Sequence, residues 1–377
     1  MPRACTRTPT PSRRAVAAEE KAPADFVRAA IRPLAQYAPP RDPAAVGLHL
    51  NESPHDLPEE LKRELAEQIV ALSWAKYPIT DGTALAGDLA AAAGVDAAGV
   101  LVGNGSNELL QLLLIAVLGP GDAVVVAHPS FSLYALQAAA LGARVIEVSL
   151  RAPDGSFRFP VEELIRAANE SRARLVLLGS PNNPTGTTLS EGEVARLVSG
   201  TSGLVGIDEA YREFCGQDFA PLLAAHPRLV LFRTFSKALA AAALRCGSLF
   251  ARPDLCAELR KIQLPYNLSA PTCLIARALI GRPGLVRARA AEVVRERDRV
   301  RASLEGRGCT VHPSGANFLL FEQGKRPAAE LHRGLFLRGV LIRNVSTGKG
   351  LARALRVSIG AREANDAFLA ALAAELP

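Results

Sequence analysis

The stretch LVLFRTFSK, residues 229–237, joins an apolar run to a polar end that carries two hydroxyls and a lysine. Leu229–Phe232 is short and unbroken, and it predicts a buried strand. Lys237 would then stand near the carboxyl end of that strand, with Arg245 eight residues further on, two turns down a predicted following helix. A lysine amine can bind an aldehyde covalently while hydroxyls and a guanidinium hold a phosphate, so the stretch suits a cofactor that carries both groups. A lone lysine after a strand is most often a solvated surface residue, so this interpretation depends on the surrounding sequence.

Apolar runs of the same kind recur through the middle of the chain. They are rich in Val and Leu and are mostly separated by segments long enough for a helix: Val124–Ala127, Val145–Val148, Leu175–Leu178, Leu204–Ile207, Leu229–Phe232 and Leu249–Ala251. Unbroken strands spaced by helices predict an α/β protein with a mainly parallel sheet that is covered by helices on both faces. Ligands of such sheets bind at the carboxyl ends of the strands.

Polar motifs directly follow several of these predicted strands. They are SPNNPTG at 180–186, DEAY at 208–211 and TFSK at 234–237. Singly, each motif has an ordinary explanation, since Asn, Pro and Gly favour turns, Asp caps helices and Tyr packs in cores. Their common place at one edge of the predicted sheet indicates a single binding site. GNGSNE at 103–108 follows the run Val100–Val102 and opens a helix, whose N-terminus either binds an anion or is simply capped.

A second, smaller α+β domain is predicted after Ala251, where the regular alternation stops. It follows a long charged helix from Gly284 to about Leu304 and contains strands at Phe318–Phe321, Val340–Ile342 and Leu355–Ile359, with helices near 327–338 and 362–375. We divide the chain into a disordered basic tail at 1–24, an N-terminal arm at 25–70 that joins the small domain, a large domain at 71–270 and the small domain at 271–377. Arg343 and Arg356 are expected at adjacent strand ends, where they are either solvated or clamp an anion.

Composition excludes several classes of protein. The net charge is +7, but residues 1–41 hold eight Lys/Arg and three Asp/Glu, which leaves only +2 for the rest and argues against a nucleic-acid-binding face. The six cysteines show no C-x-x-C spacing, so we expect free thiols in a reducing cytoplasm and no metal site. No apolar run reaches the roughly 18 residues of a membrane span.

As a set, the motifs resemble those of the fold-type I aminotransferases, which use pyridoxal phosphate. NNPTG, DEAY, the Ser-Lys pair with an arginine eight residues later, and LRVSIG at 355–360 carry this resemblance. GNGSNE at 103–108, LNESP at 50–54, YP at 77–78 and ANF at 316–318 are more closely similar to histidinol-phosphate aminotransferases. The resemblance runs from about Arg28 to the C-terminus.

The resemblance implies a role for each matching residue. Lys237 would bind the cofactor and then move the α-proton of the substrate, and Asp208 would pair with the pyridine nitrogen. Tyr211 and Asn183 would hydrogen-bond the phenolic oxygen, and Phe131 would stack on the ring. The implied phosphate site comprises Ser106, Asn107, Thr234, Ser236 and Arg245, and Tyr77 would complete the phosphate site of a neighbouring subunit in a homodimer. The implied substrate site comprises Tyr37, Asn51, Glu52, Asn317, Arg343 and Arg356.

The reaction implied by the resemblance is amino transfer from histidinol phosphate to 2-oxoglutarate. An aminotransferase for aromatic or other amino acids and a phosphothreonine-decarboxylase-like lyase are the alternatives, because such relatives share the cofactor motifs. A non-catalytic regulator would need a helix-turn-helix domain, which the short, Pro-rich tail does not supply.

The chain departs from the family pattern at three places. Ala240 stands where the family usually has glycine and sometimes alanine. Ala241-Ala242-Ala243 stands where it usually has Leu-Ala-Gly, and Ser248 where it usually has an aromatic residue. An alanine in place of glycine loses the freedom to take a positive φ, so we expect a consequence for the placement of Arg245.

Overall fold

A computed structural model describes residues 22–37, 42–78, 81–150 and 154–376. Most of the predicted tail lies outside these ranges, and its described end forms a short 3-10 helix at Pro23–Phe26. The strands are β1 Val46–Leu48, β2 Val100–Asn104, β3 Ala123–His128, β4 Arg144–Ser149, β5 Leu175–Gly179, β6 Leu204–Asp208, β7 Leu229–Thr234, β8 Cys246–Phe250, β9 Thr310–Val311, β10 Phe318–Glu322, β11 Val340–Asn344 and β12 Ala354–Ser358.

The helices lie mainly between the strands. They are α1 Glu59–Val70, α2 Asp81–Ala93, α3 Gly105–Val117, α4 Leu133–Ala140, α5 Val161–Ser171, α6 Glu191–Gly200, α7 Pro253–Arg260, α8 Ala270–Ile280, α9 Pro283–Glu305, α10 Ala328–Leu337 and α11 Arg362–Glu375. The long charged helix of the sequence is α9. No helix within the described ranges has both the length and the apolar character needed to cross a membrane.

Seven strands form the larger sheet in the order β2-β8-β7-β6-β5-β3-β4. The pairs among β4, β3, β5, β6 and β7 are parallel, while β8 is antiparallel to both β7 and β2, which confirms the prediction of a mainly parallel sheet. Alternate residues of β3 belong to different cores: Val125 packs in one cluster and Val124 in the other. Burial on both faces is the reason that the strands read as unbroken apolar runs. The edge strand β4 differs, since only Val148 is buried there.

The smaller sheet has the order β1-β11-β12-β10-β9, and β1, from the N-terminal segment, lies parallel to β11. β10, β11 and β12 were predicted with nearly these bounds, while the two-residue strand β9 was not. One expectation is wrong: Arg356 is the middle residue of β12 rather than its end. It lies directly opposite Arg343 across the antiparallel β11–β12 pair. The domain boundaries at 70/71 and 270/271 remain predictions.

Candidate active site

The carboxyl ends of β6 and β7 open into a cavity of about 590 Å³. Nearly every residue that the sequence assigned to the site lines it: Tyr37, Asn51, Glu52, Ser106, Asn107, Phe131, Asn183, Asp208, Tyr211, Thr234, Ser236, Lys237, Arg245, Arg343 and Arg356. Parallel strands end at one edge of their sheet, so motifs that are far apart in the chain meet there.

Lys237 lies three residues beyond the end of β7, and its amine points into the cavity. Its Nζ donates a hydrogen bond to the Leu50 carbonyl at 3.1 Å and lies 5.8 Å from the centre of the Tyr211 ring. Burial, followed by the positive charges of Arg356 and Arg245, lowers the pKa of Lys237 to about 8. An amine with such a pKa is more readily deprotonated near neutral pH, and only the neutral amine can attack an aldehyde or accept a proton.

Asp208 ends β6 and is the buried acid of the site. Its Oδ2 accepts a hydrogen bond from the Tyr134 hydroxyl at 2.7 Å, and its Oδ1 accepts one from the Ala210 amide at 3.1 Å. Burial raises the pKa of Asp208 to about 6, and the Tyr134 hydrogen bond is the largest influence that opposes the rise. The carboxylate is therefore placed to favour a cationic partner in the cavity.

The cavity also carries a set of donors suited to a phosphate. The Thr234 hydroxyl donates to Ser236 Oγ at 3.0 Å, and Arg245 Nη1 donates to the same oxygen at 3.2 Å. Ser106 and Asn107 lie in the first turn of α3, where backbone N–H groups are free to bind an anion.

Glycine is required where Arg245 meets α3. Gly105 has a φ of +74°, and a Cβ there would lie 2.6 Å from Arg245 Nη2. The guanidinium can therefore pack against the start of α3 only because residue 105 has no side chain.

The chain after Lys237 does not form the helix that the sequence predicts. Only a short 3-10 helix, Ala242–Leu244, precedes Arg245, and Arg245 itself has a left-handed φ of +51°. Ala240 has a φ of +56°, a left-handed conformation that favours glycine over residues with a Cβ. Two left-handed residues that carry a Cβ therefore lie in the turn that follows the lysine and places the arginine, and each stores conformational strain.

Arg356 crosses the cavity from the small sheet. Its Nη1 donates to Asn183 Oδ1 at 2.6 Å and its Nη2 to the His49 carbonyl at 2.6 Å, whereas its buried Nε has no hydrogen-bond partner among the described residues. Burial lowers the pKa of Arg356, but a guanidinium remains charged in proteins.

Two predicted residues do not line the cavity. Asn317 is fully buried behind it and donates to the Asn51 carbonyl at 3.1 Å, so its position is that of a support for this segment. Tyr77 is 73% exposed and stacks on Tyr266, with ring centres 4.6 Å apart. Tyr77 therefore does not contribute to the cavity of its own chain.

Sequence reasoning missed several residues of the site. Tyr134 lies three residues after the predicted Phe131, and the two rings meet edge to face with their centres 5.5 Å apart. In the sequence, nothing distinguishes Tyr134 from an aromatic residue that packs in the core. His128 and Glu147 also line the cavity. His128 Nε2 lies 2.8 Å from the Lys349 carbonyl, which joins the end of β3 to the loop after β11. Of these residues, only His128 could have been suspected from the sequence, because it lies three residues before the predicted Phe131.

A larger cavity of about 1430 Å³ lies between α9 and the large sheet. The chemistry is not assigned to this cavity, because Arg233, a buried cation that lines it, is already paired with Glu209 at 2.8 Å and Asp218 at 2.5 Å. Lys237 and Asp208 do not line it.

The donor set of the smaller cavity fits pyridoxal phosphate. An arginine, two hydroxyls and a helix N-terminus suit the phosphate, a buried carboxylate suits the ring nitrogen, and Lys237 suits the aldehyde. Within the described residues, no cluster of three His, Cys, Asp or Glu side chains is placed to hold a metal ion.

Comparisons with known proteins agree with this chemistry. Residues 43–372 match the family model described as aminotransferase class I and II. The histidinol-phosphate aminotransferase of Chlorobium phaeovibrioides is 38% identical over 88% of this chain and 91% of the relative. A solved histidinol-phosphate aminotransferase from Sinorhizobium meliloti, in complex with pyridoxal-5'-phosphate, is 26% identical with a TM-score of 0.78 and covers 87% of this chain and 90% of that one.

A different activity is found among the structural neighbours. L-threonine-O-3-phosphate decarboxylase from Porphyromonas gingivalis is 25% identical with a TM-score of 0.75, over 88% of this chain and 99% of that one. The match to the aminotransferase family model, in contrast, extends over residues 43–372 and so covers most of the chain. The chain therefore belongs to the aminotransferase class I and II family and is an aminotransferase that depends on pyridoxal phosphate.

Proposed function

We propose that this enzyme transfers the amino group of histidinol phosphate to 2-oxoglutarate, which forms imidazole-acetol phosphate and glutamate in histidine biosynthesis. The relatives from Chlorobium phaeovibrioides and Sinorhizobium meliloti are both named histidinol-phosphate aminotransferase, which supports histidinol phosphate as the amino donor. The observation that carries the proposal is the pair Arg343 and Arg356, which lie opposite each other on adjacent strands and both line the cavity.

The arginine pair suits a phosphate better than a single carboxylate. Side chains of directly opposite residues lie on the same face of a sheet, so both guanidinium groups can reach one anion. Among the described residues neither arginine forms a salt bridge, although Arg356 is buried. A buried cation without an acidic partner is costly, and an anionic substrate would remove that cost. The phosphate of histidinol phosphate carries more charge than the carboxylate of 2-oxoglutarate and can accept from both guanidinium groups.

The protein groups around the cofactor have distinct tasks. Pyridoxal phosphate supplies an electron sink for the substrate carbon that loses its proton. Lys237 Nζ takes that proton and returns it, for which its lowered pKa is suitable. The Asp208 carboxylate would keep the ring nitrogen protonated, and Tyr211, whose hydroxyl accepts from Asn51 Nδ2 at 3.1 Å, would help to orient the ring.

We also propose that the enzyme is a homodimer with shared sites. Tyr77 and Tyr266 form an exposed aromatic stack, and Trp74 and Leu264 are 78% and 72% exposed near it in the sequence. A partner that covers these side chains would bury apolar surface, and Tyr77 would reach the partner's phosphate site. A cytoplasmic location is part of the proposal and is supported by the free thiols of the described cysteines at 215, 246, 256, 273 and 309.

Single-turnover kinetics of the two half-reactions test the assignment. Arg343→Ala should slow the histidinol-phosphate half-reaction far more than the 2-oxoglutarate half-reaction, whereas Arg356→Ala should slow both. Arg333→Ala removes an exposed cation of α10 that does not line the cavity, and it serves as the control. Equal losses in both half-reactions for Arg343→Ala would show that this residue is a general support.

The wild-type enzyme decides between the alternatives. Conversion of phenylalanine without conversion of histidinol phosphate would establish the aromatic alternative. Release of CO₂ from phosphothreonine would establish the lyase.

A further inference from the structure

Tyr134 lies in the first turn of α4, 74 residues before Asp208, and its side chain is buried. Its hydroxyl donates to Asp208 Oδ2 at 2.7 Å, while the Ala210 amide occupies Oδ1 at 3.1 Å. The two donors therefore hold both oxygens of the carboxylate, and each oxygen keeps a lone pair for a further donor.

The surroundings of Tyr134 make it a permanent donor. Burial, together with the negative charge of Asp208, raises the pKa of the Tyr134 hydroxyl well above its usual value. The hydroxyl is therefore protonated throughout the physiological pH range, and its proton has a hydrogen-bond acceptor in Asp208.

The groups that face Asp208 act in opposite directions. Burial and the neighbouring Glu209 favour the neutral acid, whereas Tyr134, the Ala210 amide and Lys237 favour the carboxylate. Tyr134 has the largest influence among those that favour the carboxylate. Without this hydrogen bond, Asp208 would be neutral over more of the working pH range and could not pair with a cation.

The fold makes room for this contact. A Cβ at Gly179, on the strand next to Asp208, would lie 3.2 Å from the Tyr134 hydroxyl oxygen, closer than a comfortable contact. The ring of Tyr134 also meets the ring of Phe131 edge to face at 5.5 Å. Tyr134 thus joins two groups of the cavity, the carboxylate and the aromatic ring beside it.

We propose that Tyr134 is a positioning residue: its hydroxyl keeps the Asp208 carboxylate ionised and aimed at the pyridine nitrogen of the cofactor. The proposal concerns the cofactor site only, so a protein that failed to convert histidinol phosphate would leave it intact.

The test titrates Asp208 in the full-length protein without cofactor. The carboxylate infrared band that is absent from Asp208→Asn reports its ionisation as the pH is changed. Tyr134→Phe should raise the apparent pKa of Asp208 so that the acid binds its proton about tenfold or more tightly, since a hydrogen bond to a charged group is lost. Gly179→Ala, which displaces the hydroxyl, should cause a smaller shift of the same sign.

Thr201→Val is the matched control. It removes another buried hydroxyl, which donates to the Leu197 carbonyl at 2.8 Å away from the cavity, and it should leave the titration unchanged. In the holoenzyme, the pH below which pyridoxal phosphate dissociates should move upward in Tyr134→Phe by the same amount as the Asp208 titration. An unchanged Asp208 titration in folded Tyr134→Phe would overturn the proposal. If Tyr134→Phe does not fold, an unchanged titration in Gly179→Ala overturns it.

Discussion

Replacing Ala240 by glycine should stabilise the protein, although most alanine-to-glycine changes destabilise. Ala240 has a φ of +56°, and its amide donates to the Lys237 carbonyl at 3.0 Å, so it closes the turn that carries the lysine. A left-handed conformation costs a residue with a Cβ roughly 1–2 kcal/mol. Glycine avoids that cost but loses about 0.5–1 kcal/mol through the greater freedom of the unfolded chain. The net gain should be about 0.5–1 kcal/mol.

Ala225→Gly is the matched comparison. Ala225 is exposed and has an ordinary φ of −91°, so its replacement should cost about 0.5–1 kcal/mol with no compensating gain. The two variants should therefore differ by roughly 1–2 kcal/mol in free energy of unfolding, which is the cost of the left-handed conformation itself.

Urea unfolding of the apoenzyme, followed by circular dichroism at several protein concentrations, measures the difference between these variants. The apoenzyme is used because a bound cofactor would add its own binding free energy to the stability. Equal losses of stability in Ala240→Gly and Ala225→Gly would refute the reasoning, since residue 240 would then have no strain to relieve. Cofactor affinity should be retained in Ala240→Gly, because glycine allows the same turn.

Three further predictions concern the site. Borohydride reduction of the holoenzyme should abolish its visible absorption and leave the adduct on Lys237, as peptide mapping would show; an adduct on another lysine would contradict the assignment. The raised pKa of Asp208, about 6 against 3.8, means that its contribution to apoenzyme stability is full below about pH 4 and is lost as the pH rises through 6. At about 1.4 kcal/mol per pKa unit, this contribution amounts to about 3 kcal/mol. Asp208→Asn should remove that part of the pH dependence of the free energy of unfolding measured in urea. An unchanged pH dependence would show that a group other than Asp208 causes it. Hybrids of Tyr77→Phe and Lys237→Ala subunits should regain about half of the wild-type activity per dimer if the sites are shared, and no recovery despite subunit exchange would exclude sharing.

Local sequence pattern determined the large sheet and the place of the site on it. The strands β3, β5, β6 and β7 are buried on both faces, so they appear as unbroken apolar runs. Because parallel strands end at one edge, the motifs that follow them had to converge there, and this required no knowledge of packing. The same pattern was weaker for β4, an edge strand with a single buried residue.

The sequence predicted the backbone conformation of the turn after Lys237 only in part. The alanine at position 240 predicted a conflict with a positive φ, and the structure places it at +56°. The 3-10 helix at Ala242–Leu244 was not predicted, because alanines favour an α-helix and only tertiary contacts turn the chain toward Arg245.

Contacts between distant side chains were decided by tertiary structure alone. Whether Arg343 faces Arg356 depends on the register of β11 and β12, and a shift of one residue would turn one of them to the other face. The Tyr134–Asp208 hydrogen bond depends on how α4 packs against the sheet, 74 residues away along the chain. A periodic pattern records which face of an element is buried, but it does not record which side chain of another element it meets there.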